Sequence, residues 1–466
     1  MTSEKDFFNS DKMLIDYDPQ ININITVKID SIRALKQIDD DSCGYFFVKI
    51  FINDLEFISP VFNDSDYLYN LNFSVTNDVL DDVEIVEIKI QLYYKDGEFN
   101  EICDISGDIN NSDDKYDAEL FYNIKTGHWD GSDYINDPSG YGRLNGCDDG
   151  SIYTQEKDCE LLFNIYQNDF DGDYIPYWTE IYNYETDPMF DNRGEDYNDD
   201  GIPIDWEWKW GFNPFSYDNQ SKQDFDNDSI SNFEEYLTKD FKSDPFRKDI
   251  FLEIDYMAEA NGEVPRINKS AFEILKQPFH KRNILLYIDS GEKNGGEIIS
   301  YDEKSNFEEV RAIWRNYFLN NDTQNLNRSV FHYAVFVHDQ FPKGFAFSGD
   351  VSPYWGYLPG TNSFVIANNL IEKWTHTLNK SNDTIYASAI MHEMGHNFGI
   401  KSGNPGGCDN QFTKSPLSPG WYIWRNYKSI MNYRYTYSIM DYSDGSHGKR
   451  DFNDWAAINL SYFEIP

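Results

Sequence analysis

Basic residues are scarce in this chain, cysteines scarcer, and long apolar runs are missing. Its 39 Lys and Arg face 81 Asp and Glu, which leaves a formal net charge of -42. A field of that sign repels phosphate backbones, so nucleic acid is excluded as an expected partner. Five cysteines, Cys43, Cys103, Cys147, Cys159 and Cys408, are too few and too scattered for a disulfide framework, although Cys147 and Cys159 could form one bridge. Neither Cys-x-x-Cys pairs nor Cys/His clusters occur, which removes a zinc finger from consideration. No run of about 18 apolar residues exists, so no transmembrane segment is expected. Met1–Ile29 lacks the continuous apolar core of a secretory leader, so no signal peptide is visible.

What the chain does have is enough apolar material to fold. Hydrophobic residues make up 40% and aromatics 17% of its 466 residues, far from the composition of a disordered acidic tail. That length exceeds one ordinary core and predicts a multidomain protein. Composition and periodicity divide it into residues 1–165, 166–245 and 246–466.

The first part alternates with a period of two at Ile21, Ile23, Ile25, Val27 and Ile29, and again at Val86, Ile88, Ile90, Leu92 and Tyr94. Such alternation marks half-buried strands. A third run at Tyr45–Ile52 and turn clusters such as Lys95-Asp96-Gly97 complete the pattern of an antiparallel β-sandwich, of which a C2-like sandwich is one specific form.

The second part repeats an acidic unit about every 28 residues. Asp169, Asp171, Asp173, Ile175 and Glu180 recur as Asp196, Asn198, Asp200, Ile202 and Glu207, and again as Asp224, Asp226, Asp228, Ile230 and Glu235. The oxygens fall at positions 1, 3, 5 and 12 of a twelve-residue loop, the ligand register of an EF-hand-type calcium site, with the isoleucine turning its backbone carbonyl inward. Up to three structural Ca²⁺ ions are expected. Glycine eases the turn at position 6 only at Gly201; Tyr174 and Ser229 stand there in the other units, where weaker binding is expected. The repeats resemble thrombospondin type 3 and related bacterial calcium repeats, a resemblance that implies a rigid, calcium-bound spacer.

The third part alternates apolar strands with amphipathic helices. Strands are expected at Ile250–Ile254, Asn283–Ile288, Phe331–Val337 and Phe364–Ala367, and helices near Ser270–Lys276 and Phe307–Phe318. This order predicts an α/β domain with a mainly parallel sheet, in which Phe364–Ala367 is the expected edge strand for an extended peptide. A further helix follows, with Asn382 or Asp383 as N-cap and Gly399 as stop. His392 and His396 share its face four residues apart. Two imidazoles at that spacing grip one Zn²⁺, and Glu393 is placed to act as general base on a water beside the metal.

His392-Glu393-x-x-His396 followed by Gly399 resembles the metzincin clan of zinc peptidases. Lys428-Ser429-Ile430-Met431-Asn432-Tyr433 resembles the clan's Met-turn, with a near copy at Ser438-Ile439-Met440-Asp441-Tyr442. The resemblance implies a zincin catalytic domain, Met431 beneath the zinc and Tyr433 near it as an oxyanion stabiliser. The clan's third ligand would fall on Ser402, a poor zinc ligand, so the chain departs from the pattern there. Asp409 is the preferred replacement, with His447 as alternative and Cys408 and Asp441 behind them. The Gly-, Asn- and Pro-rich insert Lys401–Gly407 is suited to looping out and returning a carboxylate.

Together these features predict a zinc-dependent endopeptidase, stabilised by calcium, that hydrolyses a protein or peptide substrate. The alternative is a catalytically inactive, calcium-dependent adhesion or binding protein that keeps a protease-like domain. Calcium repeats point to extracellular or cell-surface surroundings.

Overall fold

The computed structural model describes residues 22–460 apart from 37, 39–44, 64–65, 81–82, 108–115, 134, 155, 218–219, 323–324, 341–344, 348–361 and 411–416. Ile21 and Cys43 lie outside the described residues. The chain divides into two compact units, residues 1–218 and 219–466. The boundary falls between the second and third acidic repeats.

The first unit is an antiparallel β-sandwich. Its strands are β1 (Ile23–Ala34), β2 (Phe46–Ile52), β3 (Leu55–Ile58), β4 (Tyr67–Val79), β5 (Ile85–Asp96), β6 (Phe99–Cys103), β7 (Ala118–Asn123), β8 (His128–Gly131), β9 (Tyr141–Asn145) and β10 (Cys159–Tyr166). One sheet runs β4-β1-β10-β9; the other runs β3-β2-β5-β7-β8, with β6 also paired to β5. The period-two residues explain the packing: Ile23, Ile25, Val27 and Ile29 of β1 and Val86, Ile88, Ile90 and Leu92 of β5 all enter one core. Each such side chain stabilises the fold by roughly 1.5–3 kcal/mol. Cys147 does not pair with Cys159, because its thiol meets Asp158 Oδ2 at 3.1 Å instead. All four described cysteines are free thiols.

The second unit is a three-layer α/β structure. Its strands are β11 (Asp249–Met257), β12 (Leu285–Asp289), β13 (Ile298–Ile299), β14 (Phe331–Val337), β15 (Phe345–Phe347) and β16 (Ser363–Ala367), ordered β12-β11-β14-β16-β15, with β13 extending the β11 edge. All pairs are parallel except β15 with β16. Every residue of β11 is buried, as expected of a central parallel strand covered on both faces. Ile250, Leu252, Ile254 and Tyr256 join a core with the helices Lys269–His280 and Asn382–Asn397, while Phe251 and Met257 join another with Val310, Ile313 and Trp314. The metal-motif helix is therefore fixed to one face of the sheet.

Residues 363–367 are not an edge. The three-residue β15 pairs antiparallel with β16 and becomes the outer strand, a pairing too short to leave a periodic signal in the sequence. No helix among the described residues is long and apolar enough to cross a membrane.

Candidate functional site

The helix Asn382–Asn397 begins at Ser381, whose hydroxyl accepts the Thr384 backbone N–H at 3.2 Å. Neither Asn382 nor Asp383 is the cap. The Asp383 carboxylate accepts instead from Asn268 Nδ2 at 3.1 Å and Ser270 Oγ at 2.5 Å, which ties the helix start to the neighbouring Lys269–His280 helix. At the other end Gly399 adopts φ +92° and the Ile400 N–H closes on Gly395 O at 2.9 Å, so the chain leaves the helix sharply. A left-handed residue at this point favours glycine.

His392 and His396 are both buried, each 5% exposed. His392 Nδ1 donates to Ile430 O at 3.0 Å and His396 Nδ1 donates to Ile400 O at 2.7 Å. With the Nδ1 protons committed to carbonyls, both Nε2 atoms are left for a ligand. They face the same carboxylate: His392 Nε2 lies 2.9 Å from Asp409 Oδ1 and His396 Nε2 lies 3.2 Å from Asp409 Oδ2. At zinc bond lengths near 2.0–2.2 Å the edge of a coordination tetrahedron is about 3.3 Å, so this two-nitrogen, one-carboxylate set fits zinc.

Electrostatics follow from that geometry. Burial alone would lower the His392 pKa, but the hydrogen bond and charge of Asp409 outweigh it and raise the value to about 9. Burial would raise Asp409, yet the two imidazoles hold it well below the usual carboxylate range. Glu393 is pushed upward by burial, against the opposing pull of both histidines.

Asp409 reaches the site because residues 401–408 form a compact turn. Gly403 N–H donates to Cys408 O at 2.9 Å, and Asp409 N–H donates to Met431 O at 3.0 Å, which fastens the carboxylate residue to the Met431 segment. Gly407 permits that approach, since a Cβ there would meet Tyr427 Cδ1 at 2.6 Å.

Met431 is fully buried beneath the helix, and Tyr433 stacks on His392 with ring centroids 5.7 Å apart. Met440 sits only at the margin of the core, while Tyr442 donates to Met391 O at 2.6 Å as a packing residue. The other candidate ligands lie elsewhere. His447 Nδ1 meets Asp451 at 2.9 Å, Asp441 accepts Trp455 Nε1 at 2.9 Å, and Cys408 is buried in the core.

The acidic repeats fold into three loops of one design. The position-1 carboxylate accepts the position-6 N–H in each: Asp169 from Tyr174 at 3.1 Å, Asp196 from Gly201 at 2.9 Å and Asp224 from Ser229 at 3.0 Å. Tyr174, Gly201 and Ser229 all have left-handed φ, at +79°, +92° and +81°. Ile175, Ile202 and Ile230 bury their side chains. Oxygens of Asp169, Asp171 and Asp173 gather within 4.8 Å of one another, as do those of Asp224, Asp226 and Asp228. In the second loop Asn198 Nδ2 donates to Glu207 Oε1 at 3.1 Å. Burial, reinforced by neighbouring carboxylates, raises Glu180 to about 9 and Asp226 to about 10.

No family model matches the chain, and no curated protein matches it. Among solved structures, human GIVD cytosolic phospholipase A2 in complex with methyl gamma-linolenyl fluorophosphonate is similar at 14% identity and a TM-score of 0.20, over 32% of this chain and 17% of that one. The chain thus spans less than a fifth of that phospholipase. A C2 domain is similar at 9% identity and a TM-score of 0.19, over 31% of this chain and 97% of that one. A C2 domain from plant extended synaptotagmin 1 is similar at 11% identity and a TM-score of 0.20, over 31% and 93%.

Several residues of these sites had no role of their own assigned from the sequence. Thr436 Oγ1 donates to Ile430 O, the same carbonyl that fixes His392, and Asn432 Nδ2 holds Trp424 O and Tyr427 O. Tyr437 is raised to about 12 by burial and by the charge of Glu393. Asp249, the first residue of β11, joins the third loop: its N–H donates to Asp228 Oδ2 at 2.7 Å. In the sequence it stands just ahead of the expected Ile250–Ile254 strand, with nothing to tie it to the loop.

Proposed function

We propose that the chain is a metzincin-like zinc endopeptidase, carrying calcium-binding loops and an accessory sandwich of C2-like form. The observation that carries this reading is the convergence of His392 Nε2, His396 Nε2 and the Asp409 carboxylate, with both Nδ1 atoms held by backbone carbonyls. When bound, zinc supplies Lewis-acid activation of a water and polarisation of the scissile carbonyl. Glu393 takes the proton of the attacking water and delivers it to the leaving amine. Burial raises the Glu393 pKa, which suits a group that must both accept and release a proton. Tyr433, stacked on His392, is the oxyanion donor in this reading. Met431 and the Asp409 backbone hold one another across the site. The three acidic loops bind Ca²⁺, which offsets carboxylates that burial otherwise drives toward the protonated form.

The test is cleavage of a casein-type substrate by zinc-saturated protein and by Glu393→Gln. The variant is expected to keep its zinc and lose about 10²–10⁴-fold in rate. No cleavage by wild type at full zinc occupancy, or cleavage by the variant at the wild-type rate, overturns the enzyme reading in favour of a calcium-dependent binding protein.

A further inference from the structure

We propose that Asp104, Asp149 and Glu156 of the first unit form a calcium site separate from the three acidic loops. The residues come from three stretches of chain. Asp104 directly follows β6, Asp149 ends the short turn Gly146–Asp149, and Glu156 lies in the connection that leads into β10. One carboxylate oxygen from each lies within 4.8 Å of the others.

The independent sign of a ligand is buried, unused bonding capacity. Asp104 is 1% exposed, and its Oδ2 accepts no hydrogen bond. Glu156 Oε2 is likewise buried without a donor. Two further oxygens are held by backbone donors: Asp104 Oδ1 accepts Ser106 N–H at 2.8 Å and Asp149 Oδ1 accepts Ser151 N–H at 2.7 Å. A buried acceptor left unpaired costs about 1–3 kcal/mol, and more when charged. A single cation removes that cost from Asp104 and Glu156 at once and draws Asp149 in as a further donor.

Nearby positive charge does not do this. Lys36 is committed to Asp158 at 2.5 Å and to the carbonyls of Ser151 and Thr154 at 2.8 and 2.9 Å, and the ammonium of Lys157 is paired with Glu101. Among the described residues no lysine or arginine pairs with Asp104, Asp149 or Glu156.

The frame that holds the three groups is rigid. Asp104 N–H donates to Lys157 O at 3.0 Å, and Cys159 N–H donates to Asp104 O at 2.8 Å, which locks the end of β6 to the start of β10. Gly146 lets the turn carrying Asp149 press against this pair, since a Cβ there would stand 2.3 Å from Asp104 O. All three donors are hard oxygens, which selects calcium or magnesium over zinc. Ca²⁺ accepts irregular oxygen geometry, whereas Mg²⁺ demands a near-ideal octahedron and keeps its waters, so carboxylates drawn from three stretches of chain suit calcium.

Native mass spectrometry of the full chain in CaCl₂ counts the ions, and thermal scans in EGTA and in calcium report stability. Asp104→Asn and Glu156→Gln are each expected to bind one Ca²⁺ fewer than wild type, while Asp171→Asn, changed in the first acidic loop, keeps this ion. In EGTA neither variant should melt below wild type, because neutralising one carboxylate relieves repulsion; in calcium both should melt lower. Equal ion counts in wild type and both variants overturn the proposal. So does an ion retained in MgCl₂ but absent in CaCl₂, or a fall in melting temperature in EGTA as large as that in calcium.

Discussion

Met431 lies directly against Gly395: a Cβ built on that glycine would come within 2.4 Å of the Met431 sulphur and 3.0 Å of Tyr442 Cε1. The glycine sits in the helix between the two metal-motif histidines, so its missing side chain is what lets the Met431 segment approach them. Gly395→Ala should gain about 0.5–1 kcal/mol of helix propensity and lose about 1–3 kcal/mol to overpacking. The expected net result is a destabilised second unit that holds zinc less well. In the double variant Gly395→Ala/Met431→Ala the collision is gone, so a thermodynamic cycle should show favourable coupling. Additive losses would mean that the contact is not a constraint.

Asp409 and His447 make opposite predictions for metal retention. Asp409 joins two buried imidazoles, whereas His447 pairs with Asp451. Asp409→Ala should weaken zinc binding by ~10²-fold or more, and His447→Ala should leave it within about twofold. Competition against a chromophoric chelator measures both. Unchanged affinity in Asp409→Ala would remove that residue from the proposed ligand set.

How far these features were legible depended on the range over which they are encoded. His392, His396 and Gly399 lie on one helix and its stop, so spacing alone brings them together. The alternation of β1 and β5 is local in the same way, and it pointed to the sandwich. Asp409 is thirteen positions beyond His396, and its position depends on how residues 401–408 turn and on the Met431 carbonyl, neither of which spacing encodes. Ser381 and Asn382 are both good capping residues; Ser381 takes the Thr384 N–H, while Asp383 bonds to Asn268 and Ser270, more than a hundred positions away. β15 is too short to show a period, and so β16 looked like an edge.

The position-6 residues of the acidic loops give a test of backbone strain. Ser229 holds φ +81° and Gly201 holds φ +92°, and both donate the same hydrogen bond to their position-1 aspartate. The turn is thus formed with or without glycine, and the side chain bears the conformational cost. Ser229→Gly should stabilise the calcium-free second unit by about 1 kcal/mol and tighten calcium binding, while Gly201→Ser should destabilise the first unit by a similar amount. Differential scanning calorimetry in EGTA checks both. A stabilising Gly201→Ser would show that strain at this position is unimportant.

Glu253 carries a prediction for pH. It is 1% exposed in β11, accepts Asn327 Nδ2 at 2.9 Å, and is raised to about 9 by burial and by the neighbouring Asp255, Asp289 and Glu297. A carboxyl whose folded pKa exceeds its unfolded value near 4.5 binds its proton more tightly in the native state. Its stabilising contribution is therefore complete below about pH 4.5 and is lost as pH rises toward about 9. Glutamine mimics the protonated acid and can still accept from Asn327. Glu253→Gln should thus leave stability nearly unchanged at pH 5, raise it by about 1–3 kcal/mol at pH 8, and flatten the slope between. Urea unfolding of the second unit across that range measures it. A variant that is less stable at pH 8 than wild type would show that Glu253 is needed there in its charged form, as one member of an ion-binding or paired arrangement rather than as a buried acid.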